Sequence, residues 1–354
     1  MSTQHPSQLI CWLLDVRSLW PGDHISSSAT AALSLLTSDE RAKTLSKHFI
    51  QDARMALGSA LLKRLFTARY LGSGGPWAAM EFPRRGDPVH GKPAVREEWA
   101  GRGRWVDFNV SHQAGLVALV GVVEELEDGG RAREGGKRGT EVGVDITCVN
   151  ERNDCRTIDR ERFDGWVDTF SEFFSADECW DMKYNIDPSG LPLPDGTVLS
   201  AKEIESTPGR PDRCLVKDQT FSVRRADGSN VALSSDLIVD AKLRRFYAFY
   251  CYKEAYIKMS GEGMMADWLQ DLEFRNVKSP KPGTVAGVWG GSMSDAEAYL
   301  NGVEQTDVAL EIRGREEDFM IGVAVRPGEG FRGRIPMFER IDLEKDIMAA
   351  AEGR

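Results

Sequence analysis

The sequence predicts an α+β protein made of two successive sub-lobes. Strands and helices recur in two groups along the 354 residues, which we assign to a first sub-lobe at 1–140 and a second at 142–345. Hydrophobic residues make up 41% of the chain and charged residues 28%, which is ordinary for a globular protein. The length fits one large domain or two smaller ones. We expect the tail at 346–354 to be frayed.

The first sub-lobe is predicted to contain a long helix and three strands. An apolar segment at 9–16 is typical of a strand, and the pattern at 37–70 is helical, beginning with the capping signal TSDE. Residues 105–110 alternate as a strand does, and 116–123 form a continuous apolar run. Residues 124–141 are charged and glycine-rich without apolar periodicity, so they predict a mobile loop.

The second sub-lobe is predicted to begin with a strand at 142–149, followed by helical patterns at 158–183. Residues 184–235 are rich in Pro, Gly, Ser and Asp, so we expect an irregular, mobile excursion from about 185 to 235, with a hairpin through 214–233. A long helix then precedes short strands, expected at 272–277, 308–312, 319–325 and 337–341.

The long helix, 243–263, carries an acid on the face that should be buried. Its apolar stripe consists of Leu243, Phe246, Tyr247, Tyr250 and Ile257. Glu254 falls within this stripe, and Lys258 follows one turn later, in the orientation that favours an ion pair. Gly261 and Gly263 end the helix. Either Glu254 is simply paired with Lys258 in a core helix, or it has a metal-binding or catalytic role, because an uncompensated buried carboxylate is costly.

A second acid stands out on the strand at 142–149. Val142, Val144 and Ile146 should face one side of the sheet, while Gly143, Asp145 and Thr147 share the other. Asp145 is therefore the one acid on an otherwise small and uncharged strand face. Like Glu254, it is a candidate functional residue.

Composition argues against several classes of protein. The chain has no run of 18 apolar residues, so no membrane span is expected. A net charge of −10 argues against general nucleic-acid binding. The six cysteines include no CxxC pair, which fits neither a zinc site nor a disulfide framework and favours a reducing cytoplasm. The polar N-terminus lacks the basic region of a signal peptide.

Four short motifs, in this order along the chain, resemble those of the surfactin-type 4′-phosphopantetheinyl transferases. They are Gly91-Lys92-Pro93, Phe108-Asn109-Val110-Ser111-His112, Gly143-Val144-Asp145-Ile146 and Lys253-Glu254-Ala255-Tyr256-Ile257-Lys258. Each motif is common alone, but four in the right order are specific. The resemblance covers 33–263, and the insertion and loop are similar to those of large fungal members that serve many carrier proteins.

The resemblance implies a fold of two similar α/β sub-lobes related by a pseudo-twofold axis. It also implies the activity of a holo-[acyl-carrier-protein] synthase. Such an enzyme moves the phosphopantetheine arm of coenzyme A onto a serine of an apo carrier protein and releases adenosine 3′,5′-bisphosphate. Mg²⁺ held by carboxylates would neutralise the pyrophosphate.

Roles for individual residues follow from the same resemblance. Asp145 and Glu254 become joint Mg²⁺ ligands, with Glu254 or a metal-bound water as the base and Lys258 bracing the phosphate oxygens. The positions expected at the nucleotide phosphates are Lys92, Asn109, Ser111 and His112. Lys43 and Arg54 are our candidates for the 3′-phosphate, where fixed cations are needed.

One position departs from the family pattern. Many relatives read GVDIE, with a third carboxylate where this chain has Thr147. Thr147 could coordinate through its hydroxyl or leave the position to water. The nearby Gln113 could supply a neutral oxygen or hold a metal-bound water. We therefore expect a metal site with two carboxylates.

Two alternative functions remain at this stage. One is another coenzyme A-binding enzyme on the same scaffold, and the other is a non-catalytic module that binds carrier proteins. Asp145, Glu254 and Lys258 speak against the second, since a binding module does not need a buried acid pair. The expected partners are acyl and peptidyl carrier domains of fatty acid synthase, polyketide synthase, nonribosomal peptide synthetase or aminoadipate reductase. We expect a monomer.

Overall fold

The computed structural model describes residues 8–72, 75–101, 103–125, 139–186, 191, 193, 196–263, 266–328 and 334–353. The strands β1 to β15 are, in order, Gln8–Asp15, Arg84–Arg85, Lys92–Pro93, Arg104–Gln113, Leu116–Glu125, Glu141–Cys148, Thr220–Arg224, Asn230–Ser234, Leu272–Arg275, Trp289–Met293, Glu297–Leu300, Val303–Glu304, Ala309–Arg315, Phe319–Arg326 and Glu339–Arg340.

The helices α1 to α10 are, in order, Ile25–Ser28, Thr30–Ser34, Ser38–Leu45, Ile50–Leu71, Glu97–Ala100, Asp154–Asp168, Ala176–Tyr184, Ala201–Ser206, Ser235–Ser260 and Ala349–Ala351. Short 3₁₀ turns lie at Trp77–Ala79, Pro211–Arg213 and Leu269–Asp271, and a π-helical turn at Leu343–Met348. None of the helices in these described ranges combines the length and the apolar character needed to cross a bilayer.

Two four-stranded sheets form the framework, with strand orders β15-β1-β5-β4 and β10-β13-β14-β6. Each sheet is built from one strand, then a long helix, then an antiparallel strand pair. The sets are β1, α4, β4 and β5 in the first sheet and β6, α9, β13 and β14 in the second. Alternating apolar residues of β1 and β5 pack against those of β6 and β14 in a shared core. The α+β prediction is therefore confirmed.

The helix α9 lies unusually close to the second sheet. A Cβ atom added to Gly143 would lie 2.0 Å from the carbonyl oxygen of Ala255, and one added to Gly322 would lie 2.8 Å from the sulfur of Cys251. Glycine at these strand positions therefore sets how closely helix and sheet can pack. The face of β6 that carries Asp145 is turned toward α9 as a result.

The edges of the two sheets, β4 and β6, are joined by side chains instead of a backbone ladder. Asp107 accepts a hydrogen bond from the backbone N–H of Val142 at 2.8 Å, and Asn109 accepts one from Val144 at 3.0 Å. The Ser111 hydroxyl accepts a third from Ile146 at 3.3 Å. We call these three bonds the seam. Because the seam fixes the register of β4 on β6, it also places Ser111 beside Asp145.

Several predicted boundaries differ from the structure. The single helix expected at 37–70 is two helices, α3 and α4, and β4 continues through Gln113. The strands β10, β11 and β12 were not anticipated. Strand β15 pairs in parallel with β1, so the end of the supposed second sub-lobe belongs to the first sheet.

The tail is also ordered where frayed structure was expected. Residues 346–353 are mostly helical, Ile347 is fully buried, and Arg69 forms an ion pair with Asp346 at 2.5 Å. Apolar contacts with the core around α4 explain the difference. Most of the loop expected at 124–141 lies outside the described residues. At its ends, Glu124 is buried and accepts hydrogen bonds from the backbone and hydroxyl of Thr140.

The insertion near 185–235 is not the unsupported excursion that its composition suggested. Its described residues include the expected hairpin, formed by β7 and β8, and a hydrophobic cluster of their own. The buried members of this cluster are Leu191, Leu193, Leu199, Ile204, Cys214, Val223, Leu233 and Ile238. The described residues of this segment therefore bury apolar surface in a core that its composition did not predict.

A buried lysine ties the insertion to α9 and makes stability depend on pH. Lys242 is 1% exposed, and its ammonium donates to the carbonyls of Lys183 and Cys214. Burial lowers the pKa of Lys242 from 10.5 to about 7. Between pH values of about 7 and 10.5, the unfolded chain holds the proton of Lys242 more tightly than the folded protein does. In this range Lys242 therefore makes the free energy of unfolding rise with pH, by about 1.4 kcal/mol per pH unit.

Urea unfolding of the wild type and of Lys242→Met at pH 7, 8 and 9 tests this prediction. The variant should lack this rise. The free energy of unfolding of the wild type minus that of the variant should therefore increase with pH. Taking the difference removes contributions from cysteines and tyrosines that titrate in the same range. A difference that stays constant with pH would show that Lys242 is not the group responsible.

Candidate functional site

Asp145, Ser111, Lys258 and Glu254 meet at the junction of β4, β6 and α9. The Lys258 ammonium lies 2.5 Å from Asp145 Oδ1 and 3.1 Å from Ser111 Oγ. Ser111 donates its hydroxyl hydrogen to Asp145 Oδ1 at 2.9 Å. Glu254 Oε2 lies 3.9 Å from the same ammonium. Two carboxylates from different elements therefore share one cation. They are the two acids that the sequence analysis singled out as candidate functional residues.

Local structure explains this convergence. The stripe predicted on α9 is buried at Leu243, Phe246, Tyr247 and Ile257. Tyr250, however, is only half-buried, and it lies with Glu254 and Lys258 on the most open face of this part of the helix. The side chains of Asp145, Glu254 and Lys258 are 6%, 12% and 28% exposed. The carboxylates are thus largely desolvated, while the Lys258 side chain is partly exposed.

The electrostatics of the site follow from this burial. Burial raises the pKa of Glu254, and the charge of Asp145 raises it further, whereas Lys258 opposes both effects. For Lys258, burial works against the charged form. The facing carboxylates of Asp145 and Glu254 outweigh it and raise the pKa of the ammonium. A cation between the acids is therefore favoured.

Thr147 and Gln113 each lie two residues beyond a member of this cluster, Asp145 on β6 and Ser111 on β4. The Thr147 hydroxyl is buried and makes no hydrogen bond of normal geometry, although it is directed at the thiol of Cys251. Gln113 donates its amide to Glu151 just beyond β6. A buried hydroxyl without a satisfied hydrogen bond is a possible ligand position. The Gln113 amide, in contrast, is already engaged.

His112 points to the opposite side of β4 from Ser111 and keeps an exposed face. Desolvation lowers the pKa of His112, and the ammonium groups of Lys258 and Lys47 lower it further. Asp52 acts in the opposite direction. These neighbours place His112 close to Lys258 and the beginning of α4, in a region rich in positive charge.

Lys92 and Asn109 are placed differently from the expectation that they contact phosphates. The Lys92 side chain is 1% exposed and its ammonium binds Asp107 and the carbonyl of Val142. Burial lowers the pKa of Lys92, and Asp107 opposes this shift. Asn109 is buried in the seam. In this structure both side chains are engaged in contacts between the two sheets.

Of the two candidates for the 3′-phosphate, Arg54 lies near the beginning of α4 and Lys43 on the preceding helix, α3. Arg54 donates to the carbonyls of Trp20 and Gly22, at 3.0 to 3.3 Å, while Lys43 is exposed on α3. Arg54 borders a cavity of about 460 Å³ beside the turn between β4 and β5. Its lining residues are Val16, Arg17, Phe49, Gln51, Asp52, Arg54, Met55, Ala114, Gly115 and Glu151. The structure thus groups Arg54 with the surroundings of His112.

A buried ion pair close to the site was not anticipated from the sequence. Lys253, next to Glu254 in the chain, lies 3.0 Å from Glu178 of α7, with side chains 0% and 2% exposed. The pattern Ser175-x-x-Glu178 signals a helix start, and both reciprocal bonds of this capping box are present. That signal identifies the cap but not the lysine, which lies 75 residues away.

The side chains present fit a small divalent cation. Among the residues that the structure describes, no three His, Cys, Asp or Glu side chains group as a metal site. Two carboxylates that repel each other, with the unsatisfied Thr147 hydroxyl on the same strand face, do supply the oxygen ligands that Mg²⁺ prefers. Such an ion usually retains several waters and needs only one or two carboxylates. The donor set is therefore compatible with the expected metal.

Comparison with known proteins agrees with this geometry. The family model "4′-phosphopantetheinyl transferase, N-terminal" matches residues 23–124. A 4′-phosphopantetheinyl transferase of Aureobasidium melanogenum is 48% identical over 350 residues, covering 97% of both chains. The 4′-phosphopantetheinyl transferase NpgA of Emericella nidulans is 32% identical over 381 residues, covering 97% of this chain and 94% of the relative.

A more distant relative names an acceptor. The L-aminoadipate-semialdehyde dehydrogenase-phosphopantetheinyl transferase of Schizosaccharomyces pombe is 26% identical over 178 residues, which cover 49% of this chain and 58% of the relative. The two closer matches extend over nearly the whole chain, including the segments that carry Asp145 and Glu254. The chain therefore belongs to the 4′-phosphopantetheinyl transferases, the enzymes that transfer the phosphopantetheine arm of coenzyme A to carrier proteins.

Proposed function

We propose that Asp145 and Glu254 jointly bind Mg²⁺ and that this chain uses the site to transfer phosphopantetheine to a carrier serine, releasing adenosine 3′,5′-bisphosphate. The observation that carries the proposal is the shared contact of both carboxylates with Lys258, at 2.5 and 3.9 Å. Thr147 is the further oxygen donor nearest in sequence, and Gln113 could contribute if it released Glu151. The bound ion would neutralise the pyrophosphate and stabilise the departing phosphate.

The side chains of the site have distinct tasks in this reaction. Lys258 is the cation of the site and binds an oxygen of the phosphate that is transferred. Glu254 accepts the proton of the carrier serine, whose oxygen forms the new bond to phosphorus as the bond to adenosine 3′,5′-bisphosphate breaks. Ser111 and His112 border the same phosphates.

Transfer itself is tested by incubating the protein with coenzyme A, Mg²⁺ and an apo carrier protein and then weighing the carrier. We expect its mass to increase by one phosphopantetheine group. Chelation of the metal should stop the increase, and added Mg²⁺ should restore it. Unchanged transfer after complete removal of divalent cations would refute the metal assignment while leaving the family membership intact.

The 3′-phosphate of coenzyme A is proposed to bind near Lys43, Arg54 and His112. Dephospho-coenzyme A should then bind about 10–100-fold more weakly than coenzyme A, because each charge-assisted bond contributes about 1.5–3 kcal/mol. Titration calorimetry with both ligands measures this ratio. Arg54→Gln should reduce the ratio, whereas Arg104→Gln, on the exposed beginning of β4, should not. Equal affinities in the wild type would move the 3′-phosphate elsewhere.

The acceptors proposed for this chain are carrier domains of fatty acid synthase, polyketide synthase, nonribosomal peptide synthetase and aminoadipate reductase. The name of the Schizosaccharomyces pombe relative supports the last of these. We also propose a cytoplasmic monomer, for which the six free cysteines support the reducing compartment. The matching order of strand, helix and strand pair supports two sub-lobes, divided near residue 140 and related by a pseudo-twofold axis.

A further inference from the structure

The Lys253–Glu178 pair is tied into three elements. One oxygen of Glu178 binds Lys253 and accepts a hydrogen bond from the backbone of Ser175 at 2.9 Å. The other accepts one from the backbone of Phe274 at 2.9 Å. The Lys253 ammonium also lies 5.5 and 5.1 Å from the ring centres of Phe173 and Phe174. A single carboxylate thus joins the beginning of α7, the middle of α9 and strand β9.

We propose that Glu178 and Lys253 are positioning residues that fix the rotation of α9 and thereby hold Glu254 and Lys258 in place. This inference rests on the function proposed above for Glu254. Consecutive helical residues point about 100° apart, so Lys253 anchors α9 on a different face from the one that carries Glu254. A helix rotation of about 10° would move a carboxylate on its surface by about 1 Å.

Stability alone does not explain such a pair. Buried ion pairs can often be replaced by apolar residues at little cost in stability, and their best-supported role is to fix register. A displacement of about 1 Å in a catalytic site can reduce the rate by about 100-fold. The pair therefore matters most for the alignment of the residue that follows it.

The structure also provides a matched control on the same two helices. Asp181 of α7 forms an ion pair with Arg245 of α9, with side chains 28% and 9% exposed. Arg245 also donates to the carbonyls of Val277 and Asp181, so its position does not depend on the carboxylate. Asp181→Asn thus weakens the contact between α7 and α9 without releasing the turn that carries Glu254.

Steady-state transfer to an apo carrier and thermal melting test the inference in four variants. Lys253→Met should lower kcat by about 10–100-fold, with KM for coenzyme A within about twofold of the wild type. Lys253→Arg, which keeps the ion pair, should retain most of kcat. The double variant Glu178→Gln with Lys253→Met should regain thermal stability, since no unpaired charge remains, but not kcat. Asp181→Asn should keep kcat near the wild-type value.

Two results would overturn the inference. One is a double variant in which kcat recovers together with stability, which would make the pair purely structural. The other is a Lys253→Met enzyme that loses no more kcat than Asp181→Asn. If Lys253→Met does not fold, the kcat of the double variant decides between a positioning role and a purely structural role for the pair. Neither result affects the proposed role of Glu254, which is tested separately by Glu254→Gln.

Discussion

Glu254→Gln is expected to lose transfer activity by about three orders of magnitude while remaining folded. The amide keeps the shape of the side chain but neither accepts the serine proton nor holds a divalent cation as a carboxylate does. Because burial and Asp145 already disfavour the charge on Glu254, the metal-free variant should melt no lower than the wild type. Carrier mass after a fixed incubation and a melting curve measure the two effects.

Asp240→Asn is the control, since Asp240 is an exposed acid on the same helix, paired with Lys217 at 3.1 Å. It should leave transfer unchanged. The simpler view, in which Glu254 only pairs with Lys258, expects the reverse for Glu254→Gln: a destabilised fold with its chemistry intact. A folded Glu254→Gln protein with near-normal transfer would refute the proposed mechanism. Asp145→Ala should lose activity to a similar extent.

Lys92→Met is expected to act mainly on stability, although Lys92 lies in a motif that suggested contact with phosphate. The substitution removes the buried partner of Asp107, a carboxylate that is only 2% exposed. Breaking a buried ion pair costs about 3–5 kcal/mol, which should lower the melting temperature by roughly 4–7 °C. KM for coenzyme A, measured well below the new melting temperature, should change by less than about threefold.

Arg85→Met provides the comparison, since Arg85 binds the other oxygen of Asp107 at 2.5 Å but is 39% exposed. Its loss should cost about 1 kcal/mol or less. If Lys92→Met instead kept its stability and greatly raised KM for coenzyme A, Lys92 would have to leave Asp107 and contact the ligand during the reaction. That result would restore the phosphate role that the motif suggested.

The central pair of acids was predictable because periodicity determines which way side chains point. A strand has a side-chain period of two residues, so Asp145 could be assigned to its face without a structure. The helical period of 3.6 grouped Glu254 with Tyr250, although the structure places both on the most open face of this part of α9 and not in the buried stripe. Their meeting needed one further fact, which is that α9 packs on β6. The resemblance of the motifs supplied the expectation, and the structure shows the contact through Lys258.

The roles of Lys92 and Lys253 could not be predicted in the same way. Each forms a buried ion pair with an acid on another element, Asp107 for Lys92 and Glu178 for Lys253. Local sequence does not identify a partner that comes close only through folding. The motif around Lys92 therefore suggested a ligand without revealing Asp107 as its partner, and the sequence did not single out Lys253.

Composition misled at the insertion and the tail for a related reason. Prolines, glycines and charges dominate the insertion, yet its scattered apolar residues, such as Leu199 and Leu233, meet in one cluster. In the tail, Ile347 is buried against the core around α4. Average hydrophobicity does not record whether the few apolar residues of a segment converge.

The pairing of β15 with β1 has a consequence for synthesis on the ribosome. The outer strand of the first sheet is β15, Glu339–Arg340. It lies near the opposite end of the chain from β1, the strand with which it pairs. About 200 residues separate the end of β5 from that strand, and at about 5–20 residues per second their translation takes roughly 10–40 s. During this interval the outer edge of β1 remains open to other chains. In the nascent enzyme, the edge of β1 at Trp12 and Leu13 is therefore expected to stay available for pairing until β15 has been made.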